Sequence, residues 1–271
     1  MKRMKSWSCL FVILSAVLSV ILAGCGATVT PPPPVTLRLA GSTSMQPLLA
    51  DLSAAYSARA PHVTILVEGG GSRLGREWAQ EGKVDLGLSS WLPAEADVGW
   101  SVPIALDGIA VVVHPDNPLD GLTLLQLRHV FSGRLWYWKE VGGGYGEITV
   151  VSREDGSGTR AVFEDLVMEG QAVTSTAVVM PSSQAVVEYV AGHPLAVGYV
   201  SMGHLSPRVK ALAVEGITPS TAHVAGGSYH LTRPLYLVAA GEPQGETKAF
   251  VEFCLSPAGQ AVVGERYGPV K

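Results

Sequence analysis

The chain has 271 residues, of which 19 are Lys or Arg and 23 are Asp or Glu, so its formal net charge is −4 at neutral pH. This acidic balance excludes the broad basic surface that nucleic-acid binding requires, and we expect no nucleic-acid partner. The length is large for one compact domain and favours two lobes.

Residues 1–24 have the features of a signal peptide. A short basic region precedes an apolar run over 9–23, which is shorter than a comfortable membrane-spanning helix. The run ends in Leu22-Ala23-Gly24-Cys25, which resembles a bacterial lipobox at 22–25. We predict cleavage before Cys25 and acylation of its thiol, with palmitate as the type of chain, and hence a lipid anchor in the cell membrane with the protein on the extracytoplasmic face. The alternative is an uncleaved membrane anchor.

The remaining N-terminal features fit an exported, anchored domain. Residues 25–34 include four consecutive prolines and are predicted to form a stiff tether. Loss of three basic residues with the signal peptide leaves 16 basic against 23 acidic residues, a balance of −7. Cys9 leaves with the signal peptide and Cys25 carries lipid, so Cys254 has no disulfide partner. We predict Cys254 to be a small buried hydrophobic residue on a helix.

From Val35 onward the sequence alternates strand and helix patterns, which predicts an α/β fold with mostly parallel sheets. The predicted strands cover 35–40, 63–67, 84–88, 104–114, 148–152, 176–180, 196–200 and 235–239. The predicted helices cover 45–56, 74–78, 123–131, a segment with Val162, Phe163, Leu166 and Val167 facing inward, 182–192, and 245–264 with a break at Pro257.

The long apolar strand near 104–114 is a plausible crossing between lobes. We expect lobe 1 to comprise 35–110 and 231–271, lobe 2 to comprise 111–230, and two hinge strands to join them. Ligands of such sheets bind beyond the carboxyl ends of strands, where helices begin. A cleft between the lobes is therefore the expected ligand site.

Three strand-to-helix turns share a composition rich in glycine and hydroxyl side chains: 41–45, 69–73 and 152–160. A helix start exposes unpaired backbone N–H groups and the positive end of the helix dipole. Glycine allows close backbone approach and Ser or Thr adds a hydroxyl, so such turns can bind an anion. Each turn taken singly is also consistent with ordinary helix capping. The third turn adds Arg153, whose guanidinium can donate two hydrogen bonds to an oxyanion.

These segments resemble the phosphate-binding proteins of phosphate ABC importers, which have the type II periplasmic-binding-protein fold. The resemblance covers the chain after the tether and implies a two-lobed α/β fold with a mostly parallel sheet in each lobe. It rests on segments that occur together in order: 41–47, 68–72, 85–90, 105–111, 131–133, 138–143, 152–160, 196–200, 233–236 and 255–260.

The resemblance implies inorganic phosphate as the ligand and permease subunits of the importer as partners. It further implies a monomer, with no catalytic residue, no metal and no cofactor. The phosphate-binding positions that it implies are Ser44, Met45, Ser72, Ser90, Arg153, Ser157, Gly158 and Thr159. At Ser90 the best-described members carry an aspartate that accepts the proton of hydrogen phosphate. Discrimination against sulfate is therefore less secure here than binding of a tetrahedral oxyanion.

Other functions stay open at this point. A receptor for sulfate, molybdate or tungstate would use the same turns, and a surface lipoprotein with an adhesive, signalling or hydrolytic role could share the fold. An enzyme is disfavoured because the sequence has no Gly-x-Ser-x-Gly or His-Glu-x-x-His motif. A dinucleotide site at 156–161 lacks the expected acidic residue about twenty positions later. The roles of Arg73, Arg160 and Trp91 stay unassigned.

Overall fold

The computed structural model describes residues 32–93 and 99–270. The predicted signal peptide, the lipobox with Cys25 and most of the tether lie outside these residues. Within the described ranges, no helix combines the length and apolar character needed to cross a membrane.

Strands and helices alternate along the chain, as the sequence predicts. The strands are β1 Val35–Gly41, β2 Val63–Gly69, β3 Leu86–Ser89, β4 Trp100–Val113, β5 Gly121–Leu122, β6 Thr149–Arg153, β7 Val178–Met180, β8 Ala196–Ser201, β9 Lys210–Ala211, β10 Ala213–Val214 and β11 Thr232–Ala239. The α-helices are α1 Gln46–Ser57, α2 Gly71–Gln80, α3 Leu124–Phe131, α4 Gly158–Phe163, α5 Ser183–Gly192, α6 Thr221–Ala225, α7 Gly245–Leu255 and α8 Pro257–Gly264.

Local sequence explains several helix ends. Thr123 caps α3 by accepting a hydrogen bond from the backbone N–H of Gln126. Ser182 caps α5 by accepting from Ala185, and Ser256 caps α8 by accepting from Gly259. Pro257 therefore begins a new helix at its first position, where its missing N–H has no cost. The predicted break at this proline is confirmed.

The main sheet has the strand order β2-β1-β3-β11-β4-β8-β6-β7, with β9 beside β4. Each lobe has a parallel group: β1 lies between β2 and β3, and β6 lies between β7 and β8. The strands β4 and β11 run antiparallel to their neighbours. The two-lobed α/β architecture is thus present, with antiparallel crossing strands between the two parallel groups.

Strand β4 passes through both lobes without a break. Its first part pairs with β11 as far as Gly108, and its second part pairs with β8 from Ile109 onward. The chain returns beside this point, where the backbone N–H of Ile109 donates to the carbonyl of Leu231. The two hinge crossings therefore lie side by side.

Each lobe has an apolar core. In lobe 1, residues from α1, including Leu48, Leu49 and Leu52, are buried, and Tyr56 lies against Phe250 with ring centroids 5.3 Å apart. In lobe 2, Phe163 stacks on Tyr199 with a centroid distance of 4.0 Å. This packing fixes the helices whose first residues form the candidate site.

Two helical residues, Cys254 and Leu166, were predicted to face the core. Cys254 is fully buried on α7, as predicted, and burial raises the pKa of its thiol. The prediction that Leu166 faces inward is wrong, since 37% of its surface is exposed. A π-helical turn over Glu164–Met168 follows α4 and changes the spacing of the inward positions.

Candidate functional site

The first glycine-rich turn connects β1 to α1 through a short 3-10 helix at Thr43–Met45. Gly41 has φ +139°, and a Cβ there would lie 2.3 Å from the carbonyl oxygen of Leu88. Only glycine fits this close approach of two backbones. The turn directs the side chain of Ser44 into the protein, where it is fully buried. The backbone N–H of Met45 donates to the carbonyl of Ser42 at 3.1 Å.

Four serine hydroxyls from lobe 1 form a connected group, here called the serine cluster: Ser42, Ser44, Ser72 and Ser90. The Ser42 Oγ lies 2.7 Å from the Ser44 Oγ and 2.9 Å from the Ser90 Oγ. The Ser72 Oγ lies 3.2 Å from the Ser90 Oγ and accepts the backbone N–H of Ser90 at 3.0 Å. All four residues are at most 3% exposed. Hydroxyls can donate or accept, so the cluster can adapt to an anion's oxygens.

The third turn brings lobe 2 against this cluster. Ser157 caps α4 by accepting a hydrogen bond from the backbone N–H of Arg160. A Cβ at Gly158 would lie 2.3 Å from the Ser72 Oγ and 2.6 Å from the Ser90 Oγ. The start of α4 therefore touches the serine cluster through a residue that must lack a side chain. Thr159 follows it and is 1% exposed.

Arg153 ends β6 and is 1% exposed. Its Nε and Nη2 donate to the two carboxylate oxygens of Glu154 at 2.8 and 2.9 Å. Its Nη1 donates to the Ser183 Oγ, and its Nη2 also donates to the Thr43 Oγ1, both at 3.1 Å. The guanidinium is thus held in one orientation beside the first turn, and Glu154 compensates its charge.

A second buried arginine contacts the serine cluster directly. Arg233 on β11 donates through Nε and Nη2 to the Oδ2 of Asp107, at 3.0 and 2.8 Å. Its Nη1 donates to the Ser90 Oγ at 3.2 Å. The other carboxylate oxygen of Asp107 accepts from the Ser201 hydroxyl and the backbone N–H of Met202. Arg233 and Asp107 thereby connect the hinge strands to the cluster.

Burial and the ion pair have opposite effects on the pKa values of Asp107 and Arg233. Burial raises the pKa of Asp107, and the neighbouring Arg233 counteracts that rise. Burial likewise lowers the pKa of Arg233, with Asp107 as the opposing influence. Because both oxygens of the carboxylate accept hydrogen bonds, including two from the guanidinium, the charged pair is the arrangement that this geometry favours.

Thr43 is one of the points at which donors from lobe 2 reach lobe 1. Its Oγ1 accepts from Arg153 and from the backbone N–H of Ser183, the latter at 3.3 Å. Its carbonyl accepts from the Nε2 of His204 at 3.0 Å. Burial lowers the pKa of His204 to about 4, so the imidazole is neutral at pH 7 and keeps this donor role.

The eight site positions named from the sequence all lie at the junction of the lobes. Ser44, Ser72 and Ser90 belong to the serine cluster, and Gly158 contacts it. Arg153 does not hydrogen-bond to the cluster in the described residues and reaches lobe 1 through Thr43. The remaining three positions are all buried: Met45, Ser157 and Thr159.

The sequence reasoning missed Arg233, Thr43, Ser183 and Glu154 as members of this junction. One signal was available, because Asp107 interrupts an apolar run, and a charge within a buried strand needs a partner. No local pattern identifies that partner as Arg233, which follows 126 residues later.

Comparison with known proteins first defines the class. The model of the PBP superfamily domain matches residues 27–258. Among curated proteins, the phosphate-binding protein PstS of Bacillus subtilis is 32% identical over 227 residues, which cover 82% of this chain and 75% of that protein. The chain therefore belongs to the PBP superfamily and, within it, to the family of PstS phosphate-binding proteins.

Solved structures agree with this assignment. A phosphate ABC transporter substrate-binding protein from Clostridium perfringens, crystallised with bound phosphate, is 34% identical with a TM-score of 0.83. The match covers 87% of this chain and all of that one. An ABC-type phosphate transport receptor from Vibrio cholerae is 31% identical with a TM-score of 0.69, covering 86% of this chain and 99% of that one. The type II periplasmic-binding-protein fold predicted from the sequence is confirmed.

Proposed function

We propose that the protein captures inorganic phosphate between its two lobes and delivers it to the permease subunits of an ABC importer. The observation that carries the proposal is the meeting of the serine cluster with the start of α4, beside the buried Arg233 that donates to Ser90. Relatives of more than 30% identity are named for phosphate binding or phosphate transport, which supports the same ligand.

The proposed binding residues are those that the sequence named. The hydroxyls of Ser44, Ser72 and Ser90 approach the ligand from lobe 1. The first turn contributes Met45 as a further donor. The third turn contributes the guanidinium of Arg153 and three more donors, Ser157, Gly158 and Thr159. Phosphate favours the closed arrangement because only that arrangement offers both sets of donors to one ion. The proposed lobe boundaries are 35–110 with 231–271 for lobe 1, and 111–230 for lobe 2.

Equilibrium dialysis with radiolabelled phosphate tests this function, with sulfate as the competitor. We expect saturable, high-affinity binding of one phosphate ion per chain at the junction of the lobes, and weaker competition by sulfate. Absence of saturable binding would contradict the proposal. Incubation with model phosphate esters tests the hydrolytic alternative, and we expect no release of phosphate. In the described residues, no hydrogen bond links a histidine to the serine cluster.

One observation favours a second candidate, a receptor for fully ionised oxyanions such as sulfate, molybdate or tungstate. In the described part of the chain, the hydrogen bonds of the serine cluster go to other serines and to Arg233, and none goes to a carboxylate. A carboxylate would repel an anion that lacks a proton, so its absence from these contacts removes one basis of selectivity. Competition by these three anions in the same dialysis experiment separates the candidates: displacement of phosphate at equal or lower concentration would favour this second function.

The proposed location is the extracytoplasmic face of the cell membrane, through a lipid on Cys25. Substitution Cys25→Ser should release the protein from the membrane fraction, and retention there would favour an uncleaved anchor. The proposed state is a monomer, which light scattering coupled to size-exclusion chromatography tests directly.

A further inference from the structure

A cavity, here called the mouth cavity, lies at the outer edge of the contact between the lobes. Its volume is 290 Å³, close to the lower limit for small-molecule sites. Lobe 1 contributes Arg73, Arg76 and Trp91, and lobe 2 contributes residues of the third turn and α4, including Arg160, together with Glu164 from the π-helical turn.

The described residues that line the mouth cavity include three arginines and two acidic residues. Arg73 pairs with Asp155 across the lobes at 2.9 Å, and Arg160 pairs with Glu164 at 2.8 Å. Among the residues that the structure describes, Arg76 forms no ion pair. Glu77 lies 4.0 Å from Arg73 and interacts electrostatically with Arg76, without forming an ion pair with it in the described part of the chain.

Arg76 is nevertheless held in place by neutral groups. Its Nη1 donates to the Ser89 Oγ at 3.2 Å and to the carbonyl of Trp91 at 3.0 Å. Its guanidinium carbon lies 5.4 Å from the centroid of the Trp91 ring. Burial lowers the pKa of Arg76, as expected for a partly desolvated cation. An oriented cation whose hydrogen bonds go to neutral groups is stabilised by an incoming anion.

Residues of both lobes connect the mouth cavity to the proposed phosphate site. Ser157 lines it, and the next residue, Gly158, contacts the serine cluster. On the opposite side, Arg76 binds Ser89, which precedes Ser90 in the cluster. A group bound at Arg76 would therefore be a near neighbour of an ion bound at the cluster.

We propose that the mouth cavity is an outer anion subsite that binds a phosphoryl group, or a similar tetrahedral oxyanion, through Arg76. This inference rests on the proposed function, which gives the inner site its phosphate. The outer group has two possible sources: a second free phosphate ion, or the outer phosphoryl group of a condensed phosphate whose other group occupies the inner site. Both present the same negatively charged oxygens to Arg76.

Calorimetric titration of the full chain, purified in detergent, tests the subsite with two probes, inorganic phosphate and pyrophosphate. The variant is Arg76→Gln, which removes the charge and keeps much of the side-chain length. The matched control is Arg38→Gln, the same change at an exposed arginine of lobe 1. A thermal unfolding curve of each variant accompanies the titrations, and the inner phosphate affinity reports whether Arg76→Gln keeps the site intact.

We expect Arg76→Gln to weaken binding in the outer subsite at least about tenfold, the usual scale for loss of a charged hydrogen bond. Inner phosphate affinity should change less than about threefold, and the control should match the wild type. Loss of a weak second phosphate equivalent in Arg76→Gln identifies free phosphate as the outer ligand. Loss confined to pyrophosphate identifies a condensed phosphate.

Three results would overturn the subsite. One is a wild-type protein that binds a single phosphate and no pyrophosphate. Another is an Arg76→Gln variant that loses phosphate and pyrophosphate affinity equally, and the third is an Arg38→Gln control with the same loss as Arg76→Gln. A wild-type protein that binds no phosphate at all would instead contradict the proposed function itself, so the two failures are distinguishable.

Discussion

The contact of Gly158 with the serine cluster gives the sharpest prediction. In Gly158→Ala the added methyl group would lie 2.3 Å from the Ser72 Oγ, 2.6 Å from the Ser90 Oγ and 3.0 Å from the Ser72 Cβ. The two hydroxyls cannot turn away freely, because hydrogen bonds join them to each other and to Ser42 and Arg233. The collision therefore has to be relieved by separating the lobes or by breaking the cluster.

The expected magnitude follows from this geometry. Overpacking of a close contact costs roughly 1–3 kcal/mol. If the cost falls only on the closed, ligand-binding arrangement, the Kd for phosphate should rise roughly 5- to 140-fold, since about 1.4 kcal/mol corresponds to a factor of ten. The unfolding temperature of the ligand-free protein should change little, because the substitution leaves the residues of the apolar core unchanged.

Isothermal titration calorimetry with phosphate measures the first effect, and differential scanning calorimetry without phosphate measures the second. Gly192→Ala is the matched control, because a Cβ at Gly192 has no neighbour within 4 Å. Wild-type affinity in Gly158→Ala would refute the idea that closure of α4 on the serine cluster accompanies binding. A large loss of ligand-free stability would show that the contact is needed for folding and does not belong to the ligand-bound arrangement alone.

Three further predictions concern charged and titrating groups. Arg153→Ala should weaken phosphate binding at least about tenfold, since a charged hydrogen bond contributes roughly 1.5–3 kcal/mol; calorimetry beside the exposed-site control Arg208→Ala checks this, and unchanged affinity would remove Arg153 from the site. Ser90→Asp should improve selectivity for phosphate over sulfate, because a carboxylate accepts the proton of hydrogen phosphate and repels sulfate; unaltered sulfate competition in dialysis would mean that this side chain does not face the anion. His204 has a folded-state pKa of about 4, below its ordinary value of 6.5, so the unfolded chain takes up the proton first as the pH falls. The free energy of unfolding should therefore drop by up to about 3 kcal/mol between pH 6.5 and pH 4. Denaturant titrations at several pH values measure this free energy, and the His204→Gln variant should lack this part of its decrease. The same decrease in the variant as in the wild type would contradict the prediction.

The sequence predicted the framework of the site well, because the relevant signals are local. Glycine and hydroxyl residues after a strand mark a turn and a helix start, and all three predicted turns lie at such places. Ser182 and Pro257 likewise mark helix starts through capping and through the fixed φ of proline. Positions of this type depend on neighbours within a few residues, so one sequence is enough to predict them.

The charge partners could not be predicted in the same way. Arg153 was identified as a ligand arginine, but its pairing with the adjacent Glu154 and its contact with Thr43, 110 residues away, depend on tertiary structure. Arg233 was part of a matching segment without a role. Its contact with Ser90 spans 143 residues and follows from the neighbouring positions of β11, β3 and β4 in the sheet. Strand order, which no local pattern encodes, decides these contacts.

The uninterrupted course of β4 has a mechanical consequence. A flexible linker would let the lobes separate freely, whereas a strand that keeps its ladder of hydrogen bonds on both sides of Gly108 and Ile109 can bend only by small changes of twist spread over several residues. We expect such a connection to restrict the separation of the lobes to a rotation near Gly108 and Ile109, where β4 changes its partner strand. Capture and release should then proceed through a limited rotation of one lobe relative to the other. Substitutions that weaken the strand pairing of β4 should widen the range of lobe orientations without changing any residue that contacts the anion.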